Sequence, residues 1–157
     1  MIVVADTSPI NYLILIEEID ILTKIYGTVV IPRAVRDELL RPSAPEMVRA
    51  RIGQLPAWIE VRSSTQAPDA SLEQLDAGER DAIMLARELR ADRLIVDDRQ
   101  GRPEAEKRGI PVMGTLGVLR EADTLGLLNL RVAVKRLQAT SFYLAPEVLQ
   151  RLLNDQS

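Results

Sequence analysis

Short β-branched and aliphatic runs alternate along this chain with segments that carry helix-start chemistry, and this alternation narrows the possible folds more than any other feature. Ile2-Val3-Val4-Ala5 gives way to Asp6-Thr7-Ser8-Pro9, a hydroxyl cap followed by a proline whose missing N–H is harmless in a first helical turn. Thr28-Val29-Val30-Ile31 is stopped by Pro32, which opens a helix over Arg33 to Leu40. Leu94-Ile95-Val96 ends abruptly at Asp97-Asp98, and Gly109 to Met113 forms a further short strand. Strands joined by helices are the pattern of an α/β domain with a mainly parallel sheet.

The helical segments fill the intervals. Ile10, Leu13, Ile14 and Ile16 make a largely buried first helix; a shorter one over Asp20 to Tyr26 ends at Gly27. Arg41 to Ser71, with Pro42, Pro45, Pro56 and Pro68, is the least regular stretch and holds one short helix from Glu46 to Ile52 and a strand from Trp58 to Arg62. Asp76-Ala77-Gly78-Glu79 opens a strong helix, with Ala82, Leu85, Ala86 and Leu89 at i, i+3, i+4 and i+7. Helices follow around Pro103 to Arg108, from Gly114-Thr115-Leu116-Gly117 to near Gly126, over Leu130 to Gln138, and over Ala145 to Leu153.

Composition excludes several functions. The 157 residues, 46% apolar and 27% charged, suit one domain with a full core. The longest apolar run, Ile10 to Ile16, is far short of the roughly 20 residues of a membrane span. The amino terminus lacks signal-peptide zones, so a cytoplasmic location is expected. No cysteine means no disulfide, thiolate zinc site or cysteine nucleophile, and no histidine removes the commonest general base. Any metal must be a hard ion held by oxygen. A net charge of −3 argues against nucleic-acid binding through overall electrostatics but leaves room for a metal-bridged or locally basic contact.

Ligands in open α/β sheets bind beyond the carboxyl ends of the strands, where Asp6 and the Asp97-Asp98 pair stand. On a helix wheel of about 100° per residue, Glu38 falls beside Val35 and Leu39 and Asp37 falls opposite. Glu79 lies on the apolar side of its helix, with Asp81 at the edge beside Leu85. Asp6, Glu38, Glu79, Asp81, Asp97 and Asp98 are therefore candidates for one carboxylate cluster. Each also has a simpler reading: Asp6 as a helix cap, Glu79 as half of a capping box with Asp76, Asp97-Asp98 as a turn, Arg99 as an ion-pair partner. Crowded carboxylates need a cation or a proton to coexist, and oxygen ligands suit Mg²⁺ or Mn²⁺. An ion held this way activates water and steadies the charge on a phosphodiester without histidine. Arg99, Arg102, Lys107 and Arg108 follow the acidic strand and could meet phosphates, or could instead form a solvated helix face with Glu104 and Glu106. Neighbouring strand residues point to opposite faces, so only one of Asp97 and Asp98 enters the pocket unless the chain turns there.

Asp6-Thr7-Ser8 after the first strand, Glu38 after Pro32, Gly78-Glu79-Arg80-Asp81-Ala82 opening a helix, and Val96-Asp97-Asp98-Arg99 closing a strand resemble, in this order and spacing, the PIN-domain nucleases. Gly114-Thr115-Leu116-Gly117-Val118-Leu119 resembles a signature of a prokaryotic PIN branch related to the VapC-type toxin ribonucleases. The resemblance spans roughly Ile2 to Leu127. It implies a three-layer α/β/α PIN-like domain with its core over about 2–127 and C-terminal helices over 128–157. It implies divalent-metal-dependent cleavage of single-stranded or structured RNA, homodimers and often an antitoxin partner. It places Asp6, Glu38, Asp81 and Asp98 as the four family acids, with Glu79 and Asp97 as extra acids and Ser8 as a polar neighbour. Asp98 followed by Arg99 fits the family's last acid better than Asp97, which would then sit in an outer shell or bind the N–H groups of the turn at Gln100-Gly101. Two features depart from the family: Val96 stands where a hydroxyl is usual, and Asp97 is added.

The rival readings are a receiver-like signalling module, whose acidic pocket binds Mg²⁺ while one aspartate accepts a phosphoryl group, and a catalytically silent PIN-like binding domain. Receivers place paired acids after the first strand, whereas here the pair comes late and Glu38 and Glu79 would have no role.

Overall fold

The two-residue period of the strands sorts the side chains of the sheet into two cores. In a computed structural model, which describes residues 1–154, the strands are β1 (Val3–Ala5), β2 (Val29–Pro32), β3 (Ile59–Arg62), β4 (Arg93–Ile95) and β5 (Val112–Met113). All pair in parallel, in the order β3-β2-β1-β4-β5. Val3, Ala5, Val29, Ile31 and Ile95 face one core, and Val4, Val30, Leu94 and Val96 the other.

Helices α1 (Thr7–Leu15), α2 (Ile21–Tyr26), α3 (Arg33–Leu39), α4 (Glu46–Gly53), α7 (Thr115–Thr124), α8 (Leu130–Gln138) and α9 (Pro146–Asn154) add buried residues to the first core. Helices α5 (Ala77–Glu88) and α6 (Gly101–Lys107) cover the second, through Ala82, Ile83, Leu85, Ala86 and Ala105. The result is the three-layer α/β/α arrangement. Leu130, Ala133, Val134, Leu137 and Leu152 are buried in the same core as β1, so α8 and α9 pack on the sheet's own helical layer.

The strand order decides where a site can form. From β1 the chain steps outward through β2 and β3, then returns to lay β4 on the opposite side of β1. That reversal leaves a crevice beyond the carboxyl ends of β1 and β4, the switch point at which open α/β sheets bind ligands. Ala5 is opposite Ile95, and the Asp6 N–H donates to the Ile95 carbonyl at 2.9 Å, so Asp6 is anchored where β4 ends. A receiver has the order 2-1-3-4-5, with β3 central. Here β1 is central, and the receiver reading has no support in the fold.

Several boundaries move from their sequence positions. The ladder of β4 stops at Ile95, although the Val96 N–H still donates to the Met113 carbonyl at 2.9 Å. Helix α6 begins at Gly101, before Pro103, because Asp98 Oδ1 accepts the N–H groups of Gln100 (2.6 Å) and Gly101 (3.1 Å). Pro103 then occupies the first turn, where its missing donor is harmless. A 3₁₀ turn over Ala70–Leu72 lies in the stretch read as irregular, nucleated by Asp69 accepting the Ser71 N–H at 2.9 Å. Among the described residues no helix is long and apolar enough to cross a membrane.

Candidate active site

Polar side chains from six parts of the chain reach a cleft of about 930 Å³ at the switch point. The end of β1 supplies Asp6, with Thr7 and Ser8 from the first turn of α1; α3 supplies Glu38; the start of α5 supplies Asp76 and Glu79; the segment after β4 supplies Asp97, Asp98 and Arg99; α6 supplies Arg102. Glu38 lies on the inward face of α3 beside buried Val35 and Leu39, as the helix wheel requires, while Asp37 is exposed and paired with Arg36 at 3.0 Å. The Thr7 hydroxyl donates to Glu38 Oε2 at 2.7 Å and ties α3 to α1.

Asp6 occupies the N-cap position of α1, yet its side chain makes no capping bond, so the simple reading of Asp6 as a cap does not hold. It is only 3% exposed, and its Oδ1 is buried without a hydrogen-bond partner. Buried carboxylate oxygens are almost always paired, so an orphan of this kind marks a place prepared for something else. Burial pushes the Asp6 carboxyl up to about 7; the Thr7 N–H opposes this, and the charges of Asp76, Glu38 and Asp97 add to it. Burial likewise pushes Glu79 up to about 9, reinforced by its hydrogen bond with Asp98 and by the charges of Asp76, Asp98 and Asp6.

Capping at α5 divides between two acids. Asp76 Oδ1 accepts the Glu79 N–H at 2.8 Å, but the Glu79 carboxyl turns to Asp98, so only half of the capping box forms. Asp81 is elsewhere. Two residues along a helix is a rotation of about 200°, which points Asp81 away from the cleft that Glu79 faces. It pairs with Arg80 at 3.3 Å and does not line the pocket. Asp81 thus stands apart from the other five candidate acids in the structure, and Glu79 is the acid on α5 that lines the cleft with Asp6.

Asp97 and Asp98 both reach the cleft, because the ladder ends at Ile95 and the chain turns, freeing the pair from strand alternation. Their supporting bonds are the reverse of the sequence expectation. Asp98 holds the turn at Gln100-Gly101, whereas Asp97 Oδ1 accepts the Thr115 N–H at 2.7 Å and its Oδ2 accepts the hydroxyls of Thr115 (2.6 Å) and Ser8 (3.1 Å). Asp97 thus clamps the start of α7 to the start of α1. Gly114 makes the clamp possible, since a Cβ there would lie 2.8 Å from Asp97 Oδ1 and 3.2 Å from Arg102 Nη1. Gly78 has the same use on the other wall, where a Cβ would come within 2.9 Å of Glu38 Oε1. Gly114→Ala should push Asp97 off the Thr115 N–H and destabilise the protein by about 1 to 3 kcal/mol, as overpacking does, read from the urea unfolding midpoint. An unchanged midpoint would mean that the clamp contributes nothing.

The basic residues divide. Arg99 and Arg102 line the cleft and, among the described residues, their guanidinium groups have no hydrogen-bond or ion-pair partner. Lys107 pairs with Glu104 at 3.2 Å on an exposed face, whereas Arg108, its side chain only 14% exposed, is held by Glu104, Asp69 and Ser71; both are taken up by protein partners. Sequence reasoning missed Asp76, although its place three residues before Glu79 was visible. It also missed the role of Thr115, fully buried at the second position of the Gly114 signature.

As the side chains stand, no three carboxylates among the described residues are grouped closely enough to hold one ion. The donor set still fits a hard divalent cation, for it is all oxygen and contains an orphaned, buried Asp6 Oδ1.

Comparison with curated proteins yields no match. Among solved structures, a PilT N-terminus domain protein from the archaeon Sulfolobus solfataricus P2 is similar, with a TM-score of 0.57, 22% identity, and coverage of 78% of this chain and 93% of that one. At that identity the likeness establishes the fold alone. A family model described as PIN domain matches residues 2–157, and with it the sheet order and the resemblance in the motifs converge: the chain belongs to the PIN-domain family.

Proposed function

We propose that this protein is a divalent-metal-dependent ribonuclease that uses the cleft at the β1/β4 switch point. The family is commonly one of metal-dependent nucleases, and the observation that supports activity in this member is the unpartnered, buried Asp6 Oδ1 among Glu38, Asp76, Glu79, Asp97 and Asp98. Asp6, Glu38, Glu79 and Asp98 would hold Mg²⁺ or Mn²⁺, with Asp97 positioning Ser8 and Thr115 beside them. When bound, such an ion activates water and neutralises charge on the phosphodiester.

The chain's own residues do the rest. Arg99 and Arg102, whose guanidinium groups have no partner among the described residues, take the phosphates that the carboxylates would otherwise repel. Thr7 orients Glu38, and the Asp97 clamp keeps β1 and β4 from splaying at the point where the backbone of the strand must pass. Homodimerisation and, if the protein acts as a toxin, an antitoxin partner belong to the same proposal on family grounds. The test is incubation of the purified protein with end-labelled RNA in Mg²⁺, in Mn²⁺ and in EDTA. Cleavage with either ion and none in EDTA is expected. Absence of cleavage in all three, by a folded protein, would favour the catalytically silent binding domain.

A further inference from the structure

The cleft continues past the carboxylates, and its far half has a different chemistry. Tyr12 on α1, Leu116 on α7, Phe142 and Tyr143 between α8 and α9, and Val148 on α9 line it. Aromatic residues are scarce in this chain, which has one Phe, three Tyr and one Trp, so three of them on one wall is a concentration the composition does not lead one to expect.

That wall is built rather than loose. The rings of Tyr12 and Phe142 meet edge to face, 5.0 Å apart at 84°. The Tyr12 hydroxyl and Ser141 Oγ are hydrogen-bonded at 2.9 Å. Thr140 Oγ1 donates to the Leu137 carbonyl at 2.6 Å and accepts the Phe142 N–H at 3.1 Å, which pins the segment to the end of α8. Tyr143, the next residue, is 72% exposed and, among the described residues, has no ring or hydrogen-bond partner. A held aromatic pair with an open ring beside it, facing a cleft that also carries free Arg99 and Arg102, combines the two features by which unpaired nucleic-acid strands are gripped: stacking on the bases and positive charge on the backbone.

We infer that Phe142 and Tyr143, braced by Tyr12, form a base-stacking subsite that receives an unpaired nucleobase of a strand whose backbone crosses the carboxylates. This rests on the ribonuclease reading and narrows it to single-stranded RNA, because a duplex hides its base faces from such a ring. Tyr143 supplies the open face, and Phe142 sets its position.

Fluorescence anisotropy of the full chain with a short single-stranded RNA, with Ca²⁺ in place of Mg²⁺ or Mn²⁺, tests the subsite. Tyr143→Ala should weaken binding on the order of 5- to 100-fold, the range of one lost base stack. Tyr143→Phe should bind like the parent, and the salt dependence should be unchanged because no phosphate contact is lost. A strand with abasic positions should bind the parent no better than Tyr143→Ala binds the normal strand, and duplex RNA should bind weakly to both. Three results would overturn the subsite: full affinity in Tyr143→Ala; equal losses for normal and abasic strands; or a dimer in sedimentation that Tyr143→Ala dissociates, which would show the wall covered by a second copy. If the parent cleaves RNA with Mn²⁺ while Tyr143→Ala is unimpaired in binding, only the subsite falls. If the parent neither binds nor cleaves RNA, the subsite falls together with the ribonuclease reading.

Discussion

Asp6→Asn is expected to reduce metal-dependent RNA cleavage to background while making the metal-free protein more stable at neutral and alkaline pH. The two effects share one cause. Asp6 is almost wholly buried, its Oδ1 has no partner, and burial together with the charges of Asp76, Glu38 and Asp97 holds its carboxyl near 7. Above that pH the native state carries an uncompensated buried charge, at about 1.4 kcal/mol for each unit by which the carboxyl is raised. Asparagine keeps the shape and removes the charge, and with it a donor that a divalent ion would need. The gain in stability should grow from about pH 4, where the unfolded carboxyl is ionising while the folded one is still protonated, and level off above about pH 7. Activity on labelled RNA and urea midpoints across pH would show both effects. A variant that cleaves normally would remove Asp6 from the site, and one no more stable at high pH than its parent would mean that Asp6 is not held charged against its surroundings. Asp81→Asn is the internal contrast: on the outward side of α5 and paired with Arg80, it should leave cleavage within a fewfold of the parent.

The second large effect is on the stability of the metal-free protein against pH. Both Asp6 and Glu79 are raised, to about 7 and about 9. A carboxyl raised in the native state binds more protons there than in the unfolded chain, so stability falls as pH rises from the unfolded value through the folded one. The melting temperature in EDTA should therefore drop from about pH 4 upward, more steeply while both groups are losing protons, and more gently between about pH 7 and 9 as Glu79 alone continues. Carboxylates bind metal only when deprotonated, so Mn²⁺ should raise the melting temperature little at about pH 5 and much more at about pH 8. Scanning fluorimetry in EDTA and in excess Mn²⁺ at those pH values decides the matter. A flat pH profile would mean that these two acids do not face a protonation conflict. A rise on metal addition that is the same at every pH would place the ion elsewhere.

Much of this was legible in the chain itself, for physical reasons that can be named. Unbroken aliphatic runs ending at Asp6, Pro32 and Asp97, each followed by helix-start residues, specify buried strands, helices and a parallel α/β sheet, because local sterics and capping act within a few residues. The inward aim of Glu38 and Glu79 follows from the helical period alone. The absence of histidine and cysteine restricts the metal chemistry to oxygen whatever the fold. Tertiary structure decided the rest. It places β4 against β1, so that Asp6 and Asp97 meet across almost the whole length of the intervening chain. It ends the β4 ladder at Ile95, which lets both Asp97 and Asp98 into the cleft where strand alternation admits one. It turns Asp81 outward, seats Asp97 on Thr115 through the space that Gly114 leaves, and folds the segment after α8 back so that Phe142 meets Tyr12. Each of these depends on contacts between residues far apart in sequence, and no local periodicity encodes such distances, only the packing of the finished sheet and its helices.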